Sequence, residues 1–361
     1  MSRPAKARID LAAVRHNYRT AKSFAPQARA VAVIKANGYG HGAVRVAQAL
    51  DSEADAFAVA CLEEALELRE SGVARPILLL EGVFEPDELA LVDHAGLTPV
   101  IHNQEQMDWL LRARPSRPID VWLKMDTGMH RVGLSPEQFS PTHAQLARCP
   151  HVGNIILMSH LARADEIDSD ATDRQLRVFQ RHTAGIDAPR SLANSAAVLA
   201  WPQSHGDWTR PGIMLFGATP LNGPHPHAQG LRPTMYLESA LISVRELPAG
   251  EAIGYGARFV CARPTRVGVV AMGYADGYPR HARDGTPVLI KGQCSRVIGR
   301  VSMDMLTVDL TRIPDACIGD SVQLWGDKIT ANDVAAASDT IAYQLFTGVS
   351  RRVPMRYLDT D

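Results

Sequence analysis

The chain has 361 residues, of which 38 are basic and 39 acidic, so its formal net charge is −1. This balance gives no sign of a nucleic-acid-binding surface, and 46% hydrophobic residues is typical of globular proteins. The N-terminal residues lack the apolar segment of a secretory signal, and no apolar run approaches the roughly 20 residues of a membrane span. Five scattered cysteines without a CxxC spacing indicate reduced thiols. We therefore expect a cytoplasmic protein with no nucleic-acid partner, membrane contact or metal site.

Strand and helix patterns alternate along the first two thirds of the chain. An extended opening at residues 6–11 leads into a helix that Asp10 could cap, with Leu11 and Val14 on its buried face. The next run, residues 30–35, is continuous, apolar and β-branched, which favours a strand buried in a parallel sheet. Further strands are predicted at residues 56–60, 76–80, 98–101, 120–125, 154–159, 191–193 and 212–217.

This alternation predicts the fold of the first part of the chain. About eight strand–helix units within roughly 220 residues favour a (β/α)8 TIM-type barrel over an open doubly wound sheet. The GxGxxG motif of dinucleotide-binding sheets is absent. We therefore predict a barrel over residues 1–232.

The pattern changes after a stretch rich in proline, glycine and histidine at residues 221–233. Short alternating segments between turn signals then predict a C-terminal, mostly β domain over residues 233–361. One late helix is expected around residues 331–339.

The segment VIKANGYGHG, residues 33–42, places Lys35 at the end of a predicted buried strand. In a barrel, the carboxyl ends of the strands face the active site. An ammonium group is costly there unless it is paired or neutralised, and Schiff-base chemistry needs a neutral amine. Glycines such as Gly38 and Gly40 permit close approach to the backbone. The alternative is a lysine that extends from a strand end to solvent, followed by an ordinary loop.

Further distinctive segments follow along nearly the whole chain. They are LKMDTGMHRVG (123–133), SHLARADE (159–166), LANSAA (192–197), TRPGIMLFG (209–217), IGYGARF (253–259), MGYADGYPR (272–280), GRVSMDM (299–305) and SRRVP (350–354). Together with AVIKANGYGHG (32–42), and in this order, they resemble the alanine racemases, fold-type III enzymes that use pyridoxal 5′-phosphate. The resemblance implies an isomerase that interconverts L- and D-alanine.

The same resemblance assigns two bases. Lys35 would bind the cofactor as a Schiff base and serve one face of the substrate's α-carbon, and Tyr255 would serve the opposite face. Racemisation removes a proton from one side and returns it on the other, so two opposed bases are the minimal arrangement. In the family this tyrosine comes from the second subunit, which implies a homodimer.

The resemblance also implies how the cofactor is held. Arg210 would donate to the pyridine nitrogen, which then stays unprotonated because a guanidinium group has no acceptor. His160 would link Arg210 to Tyr255. The phosphate would lie beyond the last strands, near a helix N-terminus. The implied cofactor-binding residues are Lys35, Tyr39, Leu80, His160, Asn194, Ser195, Arg210, Gly212, Ile213 and Tyr343.

The remaining implied roles concern the substrate and its path. Arg131 would contact the substrate carboxylate or the cofactor's phenolic oxygen, and the backbone of Met303 would also bind the carboxylate. Lys124 matches a lysine that is carbamylated in many members and would then orient Arg131, and an unmodified lysine in a salt bridge is the alternative. Tyr274, from the partner subunit, and Asp304 would lie at the entrance.

Two other functions are compatible with parts of this pattern. A decarboxylase of the same fold type would use a glycine-rich phosphate loop and a carboxylate at the pyridine nitrogen, where this chain has Arg210. A non-catalytic pyridoxal-phosphate-binding protein would be a single barrel without the β domain that carries Tyr255. Whether a racemase would supply D-alanine for cell-wall precursors or degrade it is left open by the sequence.

Overall fold

The structure is a computed structural model that describes residues 3–359. Its strands form two eight-stranded sheets and one two-stranded ribbon. In chain order they are β1 (Lys6–Asp10), β2 (Arg29–Val33), β3 (Ala56–Val59), β4 (Ile77–Leu79), β5 (Thr98–Ile101), β6 (Ile119–Lys124), β7 (Val152–Met158), β8 (Arg190–Ser191), β9 (Trp208–Thr209), β10 (Met235–Leu247), β11 (Ala252–Ile253), β12 (Phe259–Val260), β13 (Thr265–Val270), β14 (Pro287–Ile290), β15 (Gln293–Arg296), β16 (Leu306–Asp309), β17 (Ser321–Trp325) and β18 (Met355–Leu358).

Helices connect the strands. The right-handed α-helices are Leu11–Phe24, Ala43–Leu50, Leu62–Glu70, Glu88–Ala95, Gln104–Arg112, Pro136–Leu146, Ala171–His182, Ser195–Ala200, Ala331–Ala336 and Ala342–Gly348. Short 3₁₀ helices span Pro202–Ser204, Ile213–Phe216, Pro226–Ala228, Tyr255–Ala257 and Tyr274–Asp276.

The first sheet is the predicted barrel. Its strands run parallel in the order β8-β7-β6-β5-β4-β3-β2-β9. A parallel bridge between Asn194 and Arg210 brings the two ends of the sheet together, so the barrel is nearly closed. β3 and β4 are buried along their whole length, as expected for strands covered on both faces. The barrel prediction is therefore confirmed.

The helix Leu11–Phe24 shows how the sequence specifies the outer layer. The Asp10 carboxylate accepts a hydrogen bond from the Ala13 N–H at 2.8 Å and caps the helix, as predicted. Leu11, Val14 and Tyr18 are buried at the spacing of one helical face. Burial of this face fixes the helix against the barrel.

One predicted strand is wrong. Residues 212–217 do not form the eighth strand, which is instead β9 at Trp208–Thr209. The apolar run folds as the 3₁₀ helix Ile213–Phe216, whose residues are all buried. Periodicity alone cannot distinguish a short buried strand from a buried helical turn, because both are apolar on every side.

The second sheet contains the mostly β part of the chain and one strand from its beginning. β1 pairs with β10 in antiparallel fashion and with β18 in parallel fashion. The sequence predicts residues 6–10 as part of the barrel domain, whereas the pairing places this strand in the second sheet. The extended opening is confirmed as a strand, and its partners are distant in sequence, which local patterns cannot reveal.

The predicted late helix is present as Ala331–Ala336, and a further helix at Ala342–Gly348 was not predicted. Within residues 3–359, no helix has the length and apolar character needed to cross a membrane.

Candidate active site

A cavity of about 750 Å³ opens at the carboxyl ends of the barrel strands. It is the place where barrels carry their active sites. The predicted residues among those lining it are Lys35, Tyr39, Leu80, Lys124, Arg131, His160, Asn194, Ser195, Arg210, Gly212, Ile213 and Tyr343. Side chains from six strand ends and from a helix near the C-terminus of the chain thus share one cavity.

Lys35 begins an unusual turn just beyond β2. The next residues, Ala36, Asn37, Gly38 and Tyr39, all have left-handed backbone angles, with φ of 52°, 54°, 62° and 50°. Only glycine adopts this conformation without cost, so three of the four residues are strained. Tertiary contacts stabilise this strained conformation. The turn determines the positions from which the Lys35 and Tyr39 side chains extend.

Specific hydrogen bonds hold this turn. The Glu64 carboxylate accepts from the Ala36 N–H at 2.7 Å and from the Ala60 N–H at 2.8 Å. The Asn37 side chain accepts from the Ala43 N–H at 2.9 Å, at the start of the next helix. A Cβ atom at Gly40 would lie 2.1 Å from the Phe346 carbonyl oxygen, so only glycine fits there. Gly40 therefore belongs to a tightly packed turn, in which its backbone is approached closely by another segment.

Two phenols lie side by side in the cavity. The Tyr39 ring packs 5.9 Å from the Tyr343 ring and 5.0 Å from the Phe216 ring, centroid to centroid. Burial raises the pKa of Tyr39, and burial together with the Asp165 carboxylate raises the pKa of Tyr343 to about 12. Both hydroxyls therefore stay protonated near neutral pH and can act as hydrogen-bond donors to an anion.

The end of the barrel near β8 and β9 supplies further polar groups. The Asn194 side chain caps the helix Ser195–Ala200 by accepting from the Ala197 N–H at 3.1 Å. The Ser195 hydroxyl oxygen accepts from the Gly212 N–H at 2.8 Å and keeps its own hydrogen to donate. The Gly212 N–H, an implied phosphate donor, is thus engaged by Ser195 in this structure.

Gly212 also forms the floor beneath Tyr39. A Cβ atom at Gly212 would lie 2.6 Å from the Tyr39 hydroxyl oxygen, so a side chain there would displace the phenol. A small residue is required at this point because the hydroxyl and the backbone approach each other directly.

Arg210 is held rigidly under the cavity, with only 4% of its surface exposed. Its Nη1 donates to the Ser191 hydroxyl at 2.5 Å, and its Nη2 donates to the carbonyls of Ser159 at 2.7 Å and Leu192 at 3.2 Å. These bonds use the two terminal nitrogens and leave the Nε–H for another acceptor. Burial lowers the pKa of Arg210 to about 10, so the group remains a cation at neutral pH.

The cavity concentrates positive charge. Burial, followed by the charges of Arg210, Arg131 and Lys35, lowers the pKa of Lys124 to about 8. The Lys124 side chain is 6% exposed. Burial, followed by the charge of Arg210, lowers the pKa of His160 well below its ordinary value, so its imidazole is neutral. Such a site favours an anionic ligand.

Arg131 lies at the end of a short loop that one carboxylate organises. The Asp126 carboxylate accepts from the N–H groups of Gly128, Met129 and His130 at 2.9, 3.0 and 3.1 Å. Within residues 3–359, the Arg131 guanidinium makes no ion pair. It is exposed at the cavity and available to a carboxylate ligand.

Four predicted site residues do not line this cavity. Tyr255, Tyr274, Met303 and Asp304 all lie in the second, mostly β part of the chain. The Tyr255 side chain is 71% exposed and Met303 is 53% exposed. The Tyr274 and Met303 segments are adjacent, because the Ala275 N–H donates to the Met303 carbonyl at 3.0 Å. The predicted link from His160 to Tyr255 is therefore not formed within one subunit and stays a prediction.

Several cavity residues were not predicted. Glu81 and His102 follow β4 and β5, and their position just beyond a barrel strand is a signal that could have found them. The His102 imidazole contacts the Glu81 carbonyl at 2.9 Å. Phe84, Ile341 and Thr347 come from loops or from the unpredicted helix, where the sequence gives no comparable signal.

The residues present fit pyridoxal phosphate. A lysine, two protonated phenols, a serine hydroxyl and a buried guanidinium face one cavity, which matches an aldehyde, a phosphate and a ring nitrogen. Gly212 leaves the space between Tyr39 and the backbone free of a side chain. Among the residues described, no three His, Cys, Asp or Glu side chains are grouped as metal ligands would be.

Comparison with known families decides the relationship. Residues 9–220 match the family model of the alanine racemase N-terminal domain, and residues 234–357 match that of the C-terminal domain. The chain belongs to the alanine racemase family. It is therefore an amino-acid racemase, an isomerase, as the resemblance of its sequence motifs implied.

Alanine racemases similar over their full length include one from Pseudomonas syringae, 58% identical over 98% of this chain and 99% of the relative. A catabolic alanine racemase from Pseudomonas putida is 55% identical over 99% of each chain. The crystal structure of the biosynthetic alanine racemase from Pseudomonas aeruginosa superposes with a TM-score of 0.96 at 50% identity, covering 99% of each chain. Relatives of both physiological types are thus similar to this chain.

Proposed function

We propose that the chain is a pyridoxal-phosphate-dependent enzyme that interconverts L- and D-alanine as a homodimer. The names of its relatives support alanine as the substrate. When bound, the cofactor withdraws electrons from the α-carbon of the attached amino acid, so that the α-proton becomes acidic. A cytoplasmic location remains a prediction.

Lys35 is the proposed base on one face of the α-carbon. The left-handed turn that begins after Lys35 fixes its backbone at the mouth of β2. Its amine would bind the cofactor's aldehyde and, once released by the substrate, take up or return a proton. A proton is transferred efficiently only when the base is held within hydrogen-bond reach of the carbon, so the rigid turn supports this role.

Tyr255 of the other subunit is the proposed base on the opposite face. Its side chain lies outside the cavity of its own subunit and is 71% exposed, which leaves it free to enter the cavity of a partner. Each active site would then contain Lys35 from one chain and Tyr255 from the other.

The cofactor would be held at both ends. The hydroxyls of Tyr39, Tyr343 and Ser195 would donate to the phosphate, and the Arg210 Nε–H would donate to the ring nitrogen. Because a guanidinium group accepts no hydrogen bond, that nitrogen must remain unprotonated. Leu80 and Ile213 line the same cavity and would contact the cofactor there.

The substrate carboxylate would be bound by Arg131 and by the backbone N–H of Met303 from the partner. Within residues 3–359, the Met303 N–H has no hydrogen-bond acceptor, so it is available to a ligand. Lys124 lies among the same cations, and carbamylation would replace its positive charge by a negative one beside Arg131. Electron density at Lys124 in a crystal structure tests this modification.

The observation that carries the proposal is the shared cavity of Lys35, the two phenols and Arg210, formed by residues from distant parts of the barrel. The test is α-proton exchange. With pyridoxal phosphate, the enzyme should incorporate deuterium from heavy water into L-alanine while D-alanine accumulates. Release of carbon dioxide would indicate a decarboxylase, and cofactor binding without exchange would indicate a binding protein.

Subunit mixing tests the shared site. Lys35→Ala and Tyr255→Phe should each be inactive or severely impaired as homodimers. Refolding or co-expressing the two variants together should recover activity, because one of the two sites in the heterodimer regains both bases. If mixing restores no activity while heterodimers form, Lys35 and Tyr255 do not act across the interface.

A further inference from the structure

A buried ionic cluster lies behind the Tyr274 and Met303 segments and has no role in the proposed chemistry. Its centre is Asp276, whose surface is 0% exposed. A fully buried carboxylate is strongly destabilising unless cations and hydrogen-bond donors surround it. The partners of the Asp276 carboxylate therefore indicate its role in the structure.

Two arginines from opposite ends of the chain meet at Asp276. Arg3 donates to both carboxylate oxygens, the second at 2.8 Å, in a bidentate geometry. Arg352, in the SRRVP motif, forms an ion pair with the same carboxylate at 3.4 Å. The Gly273 N–H donates to it at 2.8 Å, which ties the carboxylate to the turn that carries Tyr274.

The same two arginines also hold the neighbouring segment. Arg3 Nη2 donates to the backbone carbonyl of Asp304 at 2.7 Å, and Arg352 Nη2 donates to the Asp304 carboxylate at 2.6 Å. Asp304 directly follows Met303 in the chain. Each arginine therefore bridges the Asp276 turn and the Met303–Asp304 segment, and the two carboxylates balance the two guanidinium charges.

The two segments are in direct backbone contact, so a shift in one must move the other. The Tyr274 N–H donates to the Ser302 carbonyl at 3.0 Å. A Cβ atom at Gly273 would lie 2.3 Å from the Met303 carbonyl oxygen. The absence of a side chain at Gly273 lets the two backbones pack directly against each other, and the Ala275 N–H donates to the Met303 carbonyl at 3.0 Å. A displacement of the Gly273 turn is therefore transmitted to Met303.

The turn is also fixed from the side of the SRRVP motif. The Ser350 hydroxyl donates to the Ala275 carbonyl at 2.8 Å, and the Ser350 N–H donates to the Asp276 carbonyl at 3.0 Å. The motif, which the proposed chemistry does not use, thus contacts the Tyr274 turn from beneath.

We propose that Arg3 and Arg352 are positioning residues that act through Asp276 and Asp304 to orient the Met303 N–H for the substrate carboxylate in the partner subunit. This inference rests on the proposed function, in which that N–H belongs to the other subunit's site. Neither arginine touches the substrate. They set the direction of one hydrogen bond to it.

The experiment compares steady-state kinetics of the holoenzyme with those of Arg3→Met and Arg352→Met. A hydrogen bond made equally in the ground and transition states changes KM and leaves kcat unaltered. We expect KM for alanine to rise about tenfold in each variant, as for a weakened charge-assisted hydrogen bond, while kcat stays within about twofold. Propionate, which is alanine without its amine, should show an inhibition constant raised by the same factor.

Arg8→Met is the matched control. Arg8 lies on β1 close to Arg3 in the chain, is exposed to a similar extent, and pairs with Glu238 at 2.9 Å. It should leave both KM and the propionate inhibition constant unchanged. A merely structural role for Arg3 and Arg352 would reduce the fraction of active enzyme, and so kcat, without changing either constant.

Several outcomes overturn the inference. They are unchanged KM and propionate inhibition in Arg3→Met and Arg352→Met, a loss of kcat alone, or an equal effect of Arg8→Met. The conservative Arg352→Lys variant, which keeps the charge, should recover part of the wild-type KM, and no recovery would also contradict the proposal. If wild-type enzyme does not racemise alanine, the proposed function fails instead, so the two failures are distinguishable.

Discussion

Glu64 provides the sharpest test of how the Lys35 turn is held. Its two carboxylate oxygens accept from the Ala36 N–H at 2.7 Å and the Ala60 N–H at 2.8 Å. The turn contains three non-glycine residues in the left-handed region, each costing about 1–2 kcal/mol. A hydrogen bond to a charged group contributes about 1.5–3 kcal/mol, and the half-buried position of Glu64 favours the lower end.

The free energy contributed by the two hydrogen bonds of Glu64 is therefore similar in magnitude to the strain energy of the turn. We expect Glu64→Ala to lower the free energy of unfolding by about 2–3 kcal/mol and to loosen the turn. Glu64→Gln keeps one acceptor oxygen and should lose about half as much. Urea unfolding measures the stability, and titration with pyridoxal phosphate measures whether the Lys35 amine remains placed for the proposed cofactor.

Glu63→Ala is the control for this prediction, since Glu63 lies on the same helix with its side chain exposed. It should change stability by less than about 0.5 kcal/mol, as is usual for surface substitutions. If Glu64→Ala and Glu63→Ala unfold at the same urea concentration and bind the cofactor equally, the left-handed turn does not depend on the carboxylate.

Three further predictions concern the cavity and its surroundings. Gly212→Ala should weaken cofactor binding at least tenfold, because its Cβ would lie 2.6 Å from the Tyr39 hydroxyl, and titration of the apoenzyme measures this affinity. Between about pH 8 and pH 10.5, Lys124 is protonated in the unfolded chain but neutral in the folded one. The free energy of unfolding of the unmodified wild type, measured relative to that of Lys124→Met, should therefore rise over this range. A flat difference in urea unfolding would contradict the lowered pKa. Burial lowers the pKa of His41 to about 4, so its contribution to stability should fall from pH 6.5 to pH 4, and His41→Phe should be less sensitive to acid over that range.

The barrel was predictable because its strands are short apolar runs separated by amphipathic helices. Buried strands such as β3 and β4 follow directly from sequences with hardly a polar residue. The run at residues 212–217 is equally apolar and its residues Ile213–Phe216 are equally buried, but they form a 3₁₀ helix. An apolar composition predicts that a segment is buried, but it does not predict whether the buried segment is a strand or a helix.

The candidate site was predictable from motifs, but its local geometry was not. Gly38 and Gly40 predicted a close approach to the backbone, whereas the left-handed angles of Ala36 and Tyr39 occur in a turn that is bonded to Glu64, 28 residues further along the chain than Ala36. The hydrogen bond between Arg3 and Asp276 could not be predicted for the same reason. The two residues are 273 positions apart in sequence, with the whole barrel between them.

The position of β1 has a consequence for how the polypeptide is made. β1 lies between β10 and β18, so the strand synthesised before the barrel must find neighbours that are synthesised after it. In the order of the chain, the barrel is thus inserted between β1 and the other strands of the second sheet. Residues 6–10 can pair in this sheet only after β10 and β18 have been synthesised, and separating the chain at residues 221–233 would remove the strand that joins β18 to its sheet.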